Sequence, residues 1–346
     1  MLANRPSRTT QPAVATAANT SDAVTLLKVV DLSVTYRTRR GDVMAVDGVS
    51  FDLERGEFLG IVGESGCGKS TLLFAIAQLL APPAVVTGGS VNFRGTDLTE
   101  LTEHELATIR WKELSVVMQS AMNALNPVKS IGSQFADAMR AHGVRSKPQI
   151  AERSAEVLRM VGIDPTHLGS YPHQLSGGMR QRSMIAMALL FTPDLVIMDE
   201  PTSALDVVAQ RSLMLQIKEL QQTLGFAVLF VTHDMSLVSH FSDRLLVMYA
   251  GQVAELGATR RIFDTPLHPY TRGLLDAFPS VRGPKVPLTG IPGSPPYLAR
   301  LPDGCRFAPR CPVVEDRCRE QAIDLVDVDG QVVRCIKYRN GVVIGD

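Results

Sequence analysis

Long apolar runs and an excess of charge of either sign are both missing from this sequence of 346 residues. Lysine plus arginine (35) balance aspartate plus glutamate (35), so charge gives no reason to expect a nucleic-acid or lipid partner. No uncharged apolar run reaches the ~18 residues that a membrane-spanning helix needs. The best candidate, residues 72–81, stops at Pro82-Pro83. We therefore expect a chain that is soluble by itself and binds no nucleic acid.

An export signal is also missing. Residues 1–22 are rich in threonine, alanine and proline and poor in large apolar groups, which predicts a disordered tail. Its "AVATAA" segment is too weakly apolar for a signal peptide. We therefore expect the five cysteines to lie in a reducing compartment, which argues against disulfides.

What the sequence does contain is a repeated switch between short apolar strands and longer amphipathic helices, which predicts a layered α/β fold. Alternation at period two predicts half-exposed strands at the start of the chain, in "LLKVVDLSVTYR" and "AVDGVSFDL". Compact apolar runs typical of buried parallel strands are "FLGIV", "DLVIMD" and "FAVLFVTH". We expect a helix over residues 149–161, a helical insertion around 120–180 and a closing hairpin at "RLLVMYAGQVAELG".

The stretch "GESGCGKST" lies between a predicted strand and a predicted helix and matches the phosphate-binding pattern G-x-x-x-x-G-K-[ST]. Its glycines let backbone N–H groups and the following helix start face phosphate oxygens. Lys69 supplies charge to the phosphates, and Ser70 offers a hydroxyl to Mg²⁺. Cys67 fills an unconstrained position, so we expect no chemical role for its thiol. The candidate nucleotide-binding residues are Gly63, Ser65, Gly66, Cys67, Gly68, Lys69, Ser70 and Thr71.

Polar residues follow apolar runs at three further places, and each place is a modest signal by itself. Asp199 and Glu200 end a strand, where the first acid can hold Mg²⁺ and the second can activate the attacking water. His233 follows another buried strand and can reach a terminal phosphate. Gln119 follows a third apolar run.

A second glycine-rich helix start is present in "LSGGMRQR". Ser176, Gly177 and Gly178 precede a helical pattern and so provide a second anion-binding helix end. One nucleotide does not need two such ends from distant parts of one domain. The pattern therefore predicts that two copies meet face to face, each completing the nucleotide site of the other.

The order of these motifs resembles that of the ATP-binding subunits of ABC transporters, over roughly residues 25–260. The resemblance implies an ABC nucleotide-binding domain of the P-loop NTPase class at 23–262, with a RecA-like core, an antiparallel β subdomain and a helical subdomain. ATP and Mg²⁺ are the implied ligands.

The same resemblance implies a role for each matching position. Tyr36 is implied to stack on adenine, Gln119 to sense Mg²⁺ and water, and Asp199 to help hold Mg²⁺. Glu200 is the implied general base and His233 the implied γ-phosphate switch. Asp206, in "SALD", is implied to lie at the dimer interface. Met179 stands where the family more often has glutamine. A methionine at this position resembles the peptide-importer branch.

Four of the five cysteines lie near the C-terminus with the spacing C-x5-C-x6-C-x16-C: Cys305, Cys311, Cys318 and Cys335. Four soft thiolates suit an iron–sulfur cluster or zinc. We favour a [4Fe–4S] cluster, with zinc as the alternative metal. Disulfides and unligated buried thiols are the explanations that involve no metal. The proline-rich surroundings predict a small, irregular domain at 263–346.

This tail resembles the C-terminal extension of the oligopeptide/dipeptide and nickel branch of ABC importers, through "HPYTRGLL", "IPGSPP" and "CRFAPRCP". The resemblance implies a second ATPase subunit, two membrane permeases and an extracytoplasmic solute-binding protein. It places the chain at the cytoplasmic face of the inner membrane and implies peptide uptake. Import of nickel or another small solute is the alternative, and a non-transport ABC ATPase is less favoured.

Overall fold

A computed structural model describes residues 25–119, 124–203, 205–277, 290–339 and 342–343. The predicted tail at 1–22 lies outside these ranges. The strands are β1 Thr25–Thr38, β2 Gly41–Glu54, β3 Phe58–Val62, β4 Ala84–Phe93, β5 Thr96–Asp97, β6 Leu114–Val117, β7 Leu195–Asp199, β8 Ala227–Val231, β9 Arg244–Tyr249, β10 Gln252–Ala258, β11 Val326–Val328, β12 Gln331–Val333, β13 Tyr338–Arg339 and β14 Val342–Val343. The helices are α1 Lys69–Ile76, α2 Glu103–Ile109, α3 Ile131–Ala141, α4 Lys147–Met160, α5 Gly177–Ala188, α6 Val207–Leu224, α7 Met235–Phe241, α8 Thr259–Asp264, α9 Pro269–Asp276 and α10 Arg317–Glu320.

The central sheet of the described chain has eight strands in the order β11-β12-β10-β9-β3-β8-β7-β6. Strands β9, β3, β8, β7 and β6 run parallel, and every residue of β3, β7 and β8 is buried. The prediction of buried parallel strands is therefore confirmed. The carboxyl ends of parallel strands share one edge of a sheet, so the segments after β3, β7 and β8 are brought together there.

A second, antiparallel sheet has the order β2-β1-β4-β5. Buried residues alternate with partly or fully exposed ones at 27–30 and 49–53, which confirms the period-two prediction for these stretches. Register shifts interrupt the alternation elsewhere in β1 and β2. The inner face of this sheet packs with α1 and one face of the central sheet in a single apolar cluster. The predicted closing hairpin is also present, since β9 pairs antiparallel with β10.

Helices α3, α4 and α5 form the helical part between β6 and β7. The helix predicted over 149–161 is present as α4, and its residues Ile150, Val157 and Leu158 are buried and join the main apolar cluster. The helix itself ends at Met160, and Val161 follows as its C-terminal cap. No helix within the described ranges is long and apolar enough to cross a membrane.

The C-terminal region shares the central sheet, which the sequence patterns did not indicate. Strand β12 pairs antiparallel with β10, placing Val333 opposite Glu255, and β11 extends the sheet by one more strand. Glu255 is fully buried and its carboxylate accepts hydrogen bonds from the backbone N–H groups of Leu267 and His268. The segment that carries the cysteines is thus anchored to the core by backbone pairing.

Candidate functional site

The loop after β3 adopts a backbone that only glycine accommodates at two positions. Gly68 has φ of +103°, and a Cβ there would lie 2.1 Å from the Ala45 carbonyl oxygen. A Cβ at Gly63 would lie 2.2 Å from the Met248 carbonyl oxygen. The loop therefore wraps tightly between neighbouring strands and leads directly into α1, whose N-terminus carries the positive end of the helix dipole.

Lys69 lies inside this loop, with only 8% of its surface exposed. Its Nζ donates to the Gly63 carbonyl at 2.7 Å and to the Glu64 carbonyl at 3.1 Å. The ammonium group is thus held where it can neutralise phosphate charge. Burial raises the pKa of the neighbouring Cys67 thiol, so this thiol stays protonated and a poor nucleophile at neutral pH.

Ser70 and Asp199 meet at the sheet edge. The Ser70 hydroxyl donates to Asp199 Oδ1 at 3.0 Å, and burial raises the pKa of the Asp199 carboxyl. A hydroxyl and a carboxylate oxygen side by side are suitable ligands for Mg²⁺. These two residues would hold the ion, which supplies neutralisation of phosphate charge when it is bound.

Glu200 lies between the other two predicted catalytic side chains. Its carboxylate accepts a hydrogen bond from Gln119 Nε2 at 2.7 Å, and its other oxygen is 3.5 Å from His233 Nδ1. The Glu200 backbone has φ of +45°, and its N–H donates to the Val231 carbonyl at 3.0 Å. A non-glycine residue in this strained region is typical of functional sites. These two side-chain contacts of Glu200 bring Gln119, Glu200 and His233, the three predicted catalytic residues, together.

Tyr36 on β1 also reaches the start of α1. Its hydroxyl oxygen lies 3.1 Å from Thr71 Oγ1, within hydrogen-bond distance. This contact joins the antiparallel sheet to the phosphate-binding loop. Stacking of Tyr36 on adenine stays a prediction.

The second glycine-rich helix start is not part of this assembly. Ser176 Oγ accepts a hydrogen bond from the Met179 N–H at 3.2 Å and so caps α5, and Asp206 caps α6 through the Ala209 N–H at 2.8 Å. Neither Ser176 nor Asp206 makes a hydrogen bond to residues 63–71, all of which are described. One copy of the chain therefore assembles only one half of the predicted composite site.

The four C-terminal cysteines line one small cavity together with His268 and Phe307. Burial raises the pKa of the thiols of Cys305 and Cys311, and raises that of Cys335 to about 11. In the described part of the chain, however, no group of three or more histidine, cysteine or acidic side chains is placed to hold a metal ion. The expected iron–sulfur or zinc site is therefore not supported by this geometry.

Two side chains from the C-terminal region reach the phosphate-binding loop, and the sequence patterns did not indicate either of them. The Tyr270 hydroxyl accepts a hydrogen bond from the Glu64 N–H at 2.9 Å. Arg310 forms a two-pronged ion pair with the Glu64 carboxylate. Both residues lie in segments that carry the resemblance to the importer family, "HPYTRGLL" and "CRFAPRCP".

Comparison with known proteins agrees with this geometry. The sequence profile described as "ABC transporter" matches residues 46–203, and that described as "Oligopeptide/dipeptide transporter, C-terminal region" matches residues 254–318. The chain is 42% identical to the dipeptide transport ATP-binding protein DppD of Caldanaerobacter subterraneus subsp. tengcongensis, covering 91% of this chain and 98% of that protein. It is 45% identical to the oligopeptide transport ATP-binding protein OppD of Salmonella typhimurium, covering 85% and 88%.

A solved structure is similar in three dimensions as well. The dimeric, post-hydrolysis state of the ATP-binding cassette MJ0796, bound to ADP and Pi, has a TM-score of 0.61 and 30% identity and covers 68% of this chain and 99% of that one. Fold and site together define the class, an ATP-hydrolysing cassette of the P-loop type. Within that class, the chain belongs to the ATP-binding subunits of the oligopeptide/dipeptide ABC transporter family.

Proposed function

We propose that this ATPase powers the import of di- and oligopeptides through paired membrane permeases. The observation that carries the proposal is the match of residues 254–318 to the C-terminal region of oligopeptide/dipeptide transporters, on a chain whose relatives include DppD and OppD proteins. The choice of peptide rests on these likenesses.

Within the site, we assign Glu200 as the general base that takes a proton from the attacking water. Gln119 orients that water and the carboxylate, and His233 contacts the γ-phosphate. Their mutual distances of 2.7 and 3.5 Å around Glu200 support this division of labour. Lys69 and the loop N–H groups bind the phosphates, and Tyr36 stacks on the adenine ring.

For the assembly, we propose a dimer with a second ATPase subunit, identical or related. Each ATP is bound by the phosphate loop of one subunit and by Ser176 to Gly178 of the other, with Asp206 at the interface. The structurally similar MJ0796 cassette is described as a dimer, which supports this arrangement. ATP favours the closed dimer because only closure completes both sets of contacts.

The rest of the machinery follows from that dimer. Closure moves two permease subunits, to which a solute-binding protein delivers the peptide on the far side of the membrane. The chain lies at the cytoplasmic face of the membrane, held there by the permeases.

We further propose the division into a tail at 1–22, the cassette at 23–262 and a C-terminal domain at 263–346 that binds a [4Fe–4S] cluster through its four cysteines. The proposal rests on the donor set, because four soft thiols line one cavity and suit such a cluster, with zinc as the alternative. Within the described residues these side chains are not placed to hold a metal ion, so binding would require them to move. A brown protein with broad visible absorption and about four irons per chain is the expected result. Zinc in a colourless protein, or no metal at all, would overturn it.

The transport proposal is tested in cells of the source organism that lack this chain. Uptake of a labelled dipeptide and tripeptide is expected to be lost and to return with the intact chain. It is not expected to return with Glu200→Gln, whereas Glu219→Gln, an exposed glutamate on α6, serves as the matched control and restores uptake. If peptide uptake is unchanged and uptake of ⁶³Ni²⁺ is lost instead, the nickel alternative is correct.

A further inference from the structure

The segment between Cys305 and Cys311 places an arginine directly against the phosphate-binding loop. Arg310 Nη1 lies 2.6 Å from Glu64 Oε2, and Nη2 lies 2.9 Å from Glu64 Oε1. The Arg310 side chain is 5% exposed and that of Glu64 is 24% exposed, so the pair is largely removed from water. Two parallel charge-assisted hydrogen bonds give this contact a defined geometry as well as strength.

The guanidinium is itself held in place on its other sides. Arg310 Nε donates to the Pro292 carbonyl at 2.8 Å, and Nη1 lies 3.3 Å from the Tyr249 hydroxyl. The ring of Tyr249 packs against Tyr270 and Phe307, with centroids 4.6 and 5.3 Å away. Arg310 is therefore presented to Glu64 by a rigid aromatic support and not by a free surface loop.

Glu64 is a residue of the loop that binds phosphate, and three of its groups are fixed. Its carboxylate pairs with Arg310, its N–H donates to the Tyr270 hydroxyl at 2.9 Å, and its carbonyl accepts from Lys69 Nζ at 3.1 Å. Any shift of Glu64 therefore moves a direct partner of the phosphate-binding lysine.

The ion pair between Arg310 and Glu64 also favours anion binding, because of its charge. A carboxylate within a phosphate-binding loop repels the nucleotide unless a cation compensates it. Lys69 is committed to the inside of the loop, through the carbonyls of Gly63 and Glu64. The guanidinium of Arg310 is the cation that pairs with the Glu64 carboxylate.

A second connection between the same segment and the loop is indirect and runs through Ala250 and Gly251. Arg306 donates to the Ala250 carbonyl and pairs with the Asp47 carboxylate, while the adjacent Gly251 N–H donates to the Cys67 carbonyl at 2.9 Å. The cysteine-bearing segment is thus connected to both ends of the turn that begins at Gly63.

From these contacts we infer that Arg310 is a positioning residue for the ATPase reaction, acting through Glu64 to hold and neutralise the phosphate-binding loop. Arg310 is not assigned a contact with the nucleotide. The inference rests on the family's ATP hydrolysis and adds a dependence of the ATP site on the cysteine-bearing segment.

The test compares Arg310→Met, Glu64→Gln and their combination in the full-length chain. In Arg310→Met, the uncompensated Glu64 carboxylate repels the phosphates of ATP, and we expect about tenfold weaker ATP binding by calorimetry. Adding Glu64→Gln removes the repelling charge and is expected to restore affinity to within about threefold of the parent chain. The KM for ATP should change in parallel in the assembled transporter.

The matched control is Arg317→Met, because Arg317 pairs with Glu315 at 2.6 Å in the same region but is 43% exposed and does not contact the phosphate loop. It is expected to leave ATP affinity unchanged. If Arg310→Met fails to fold, Arg310→Lys keeps the charge with fewer donors and should weaken binding about threefold, again reversed by Glu64→Gln.

A purely structural role makes a different prediction. If Arg310 only attaches the C-terminal region to the core, Arg310→Met lowers the melting temperature while ATP affinity and KM stay at the parent values. Equally, a double variant that binds ATP as weakly as Arg310→Met, or more weakly, would overturn the inference. Loss of ATP affinity in these variants leaves peptide specificity unchanged, so failure here is distinguishable from failure of the transport proposal.

Discussion

The chain contains two glycine-rich helix starts with opposite surroundings. At α1, Lys69 is 8% exposed and Gly68 leaves no room for a Cβ beside the Ala45 carbonyl. At α5, Ser176 is exposed and a Cβ added at Gly178 meets no atom within 4 Å. The glycine at α1 is required by the chain's own packing, whereas the glycine at α5 has no such requirement within one copy. The proposed dimer, in which the second helix start faces the nucleotide of a partner, predicts this difference.

The strongest test of this comparison asks whether ATP hydrolysis depends on the residues near the first helix start, which include Lys69 and Glu200. We call these residues the α1 side. Glu200→Gln keeps the size and a hydrogen-bonding oxygen but removes the base. We expect ATP turnover to fall about 10²–10⁴-fold, while ATP affinity changes less than about threefold. Steady-state hydrolysis by the assembled transporter and calorimetric binding measure the two quantities.

The control for this variant is Glu219→Gln, which changes an exposed acid on α6 in the same way. It should leave both quantities at the parent values. Normal hydrolysis by Glu200→Gln would show that the base is another group.

The role of the second helix start, Ser176 to Gly178, is tested by Ser176→Arg, which places a bulky cation at this exposed position. Because one copy does not use Ser176 for its own ATP site, the single chain should bind ATP normally. Turnover should fall about 10²-fold, the usual effect of losing one preorganised anion-binding contact. Lys69→Ala serves as the contrasting variant, because it should abolish ATP binding by the single chain. Equal loss of ATP binding in both variants would contradict the comparison.

Much of this site follows from the sequence because its parts are local. The phosphate loop, the acids at the end of β7 and the histidine after β8 are each attached to a fully buried strand. Parallel strands place their carboxyl ends at one edge, so the meeting of Ser70 with Asp199 and of Glu200 with His233 is a consequence of topology.

The remaining features depend on contacts between distant segments. Glu64 and Arg310 are 246 positions apart, and the pairing of β12 with β10 joins a strand of only three residues to the core. Neither segment has a periodic apolar pattern that predicts its partner. Pairing of this kind is decided by tertiary packing and not by local preference.

A smaller effect is expected from Gly68→Ala, which tests how closely the phosphate loop packs against Ala45 at the start of α1. Its φ of +103° and the 2.1 Å approach to the Ala45 carbonyl combine backbone strain with a clash. We expect a loss of about 2–4 kcal/mol in the free energy of unfolding, measured by denaturant titration. Gly66→Ala is the control, because Gly66 has φ of +77° with nothing within 4 Å and so suffers only strain of about 1 kcal/mol. Equal losses in the two variants would mean that packing against Ala45 is unimportant.

The smallest change in stability, with the opposite sign, is expected from Gly178→Ala. Gly178 is the second residue of α5 and has open space around it, and alanine has a higher helix propensity than glycine, so the chain should gain at most about 0.5–1 kcal/mol. Gly132→Ala, in α3, should lose stability instead, because its Cβ would lie 3.0 Å from the Leu168 carbonyl oxygen. If α5 closes onto a partner's nucleotide, ATP turnover by Gly178→Ala should fall even though the single chain becomes more stable. A more stable chain with unchanged turnover would mean that the open space at Gly178 is not used by a partner.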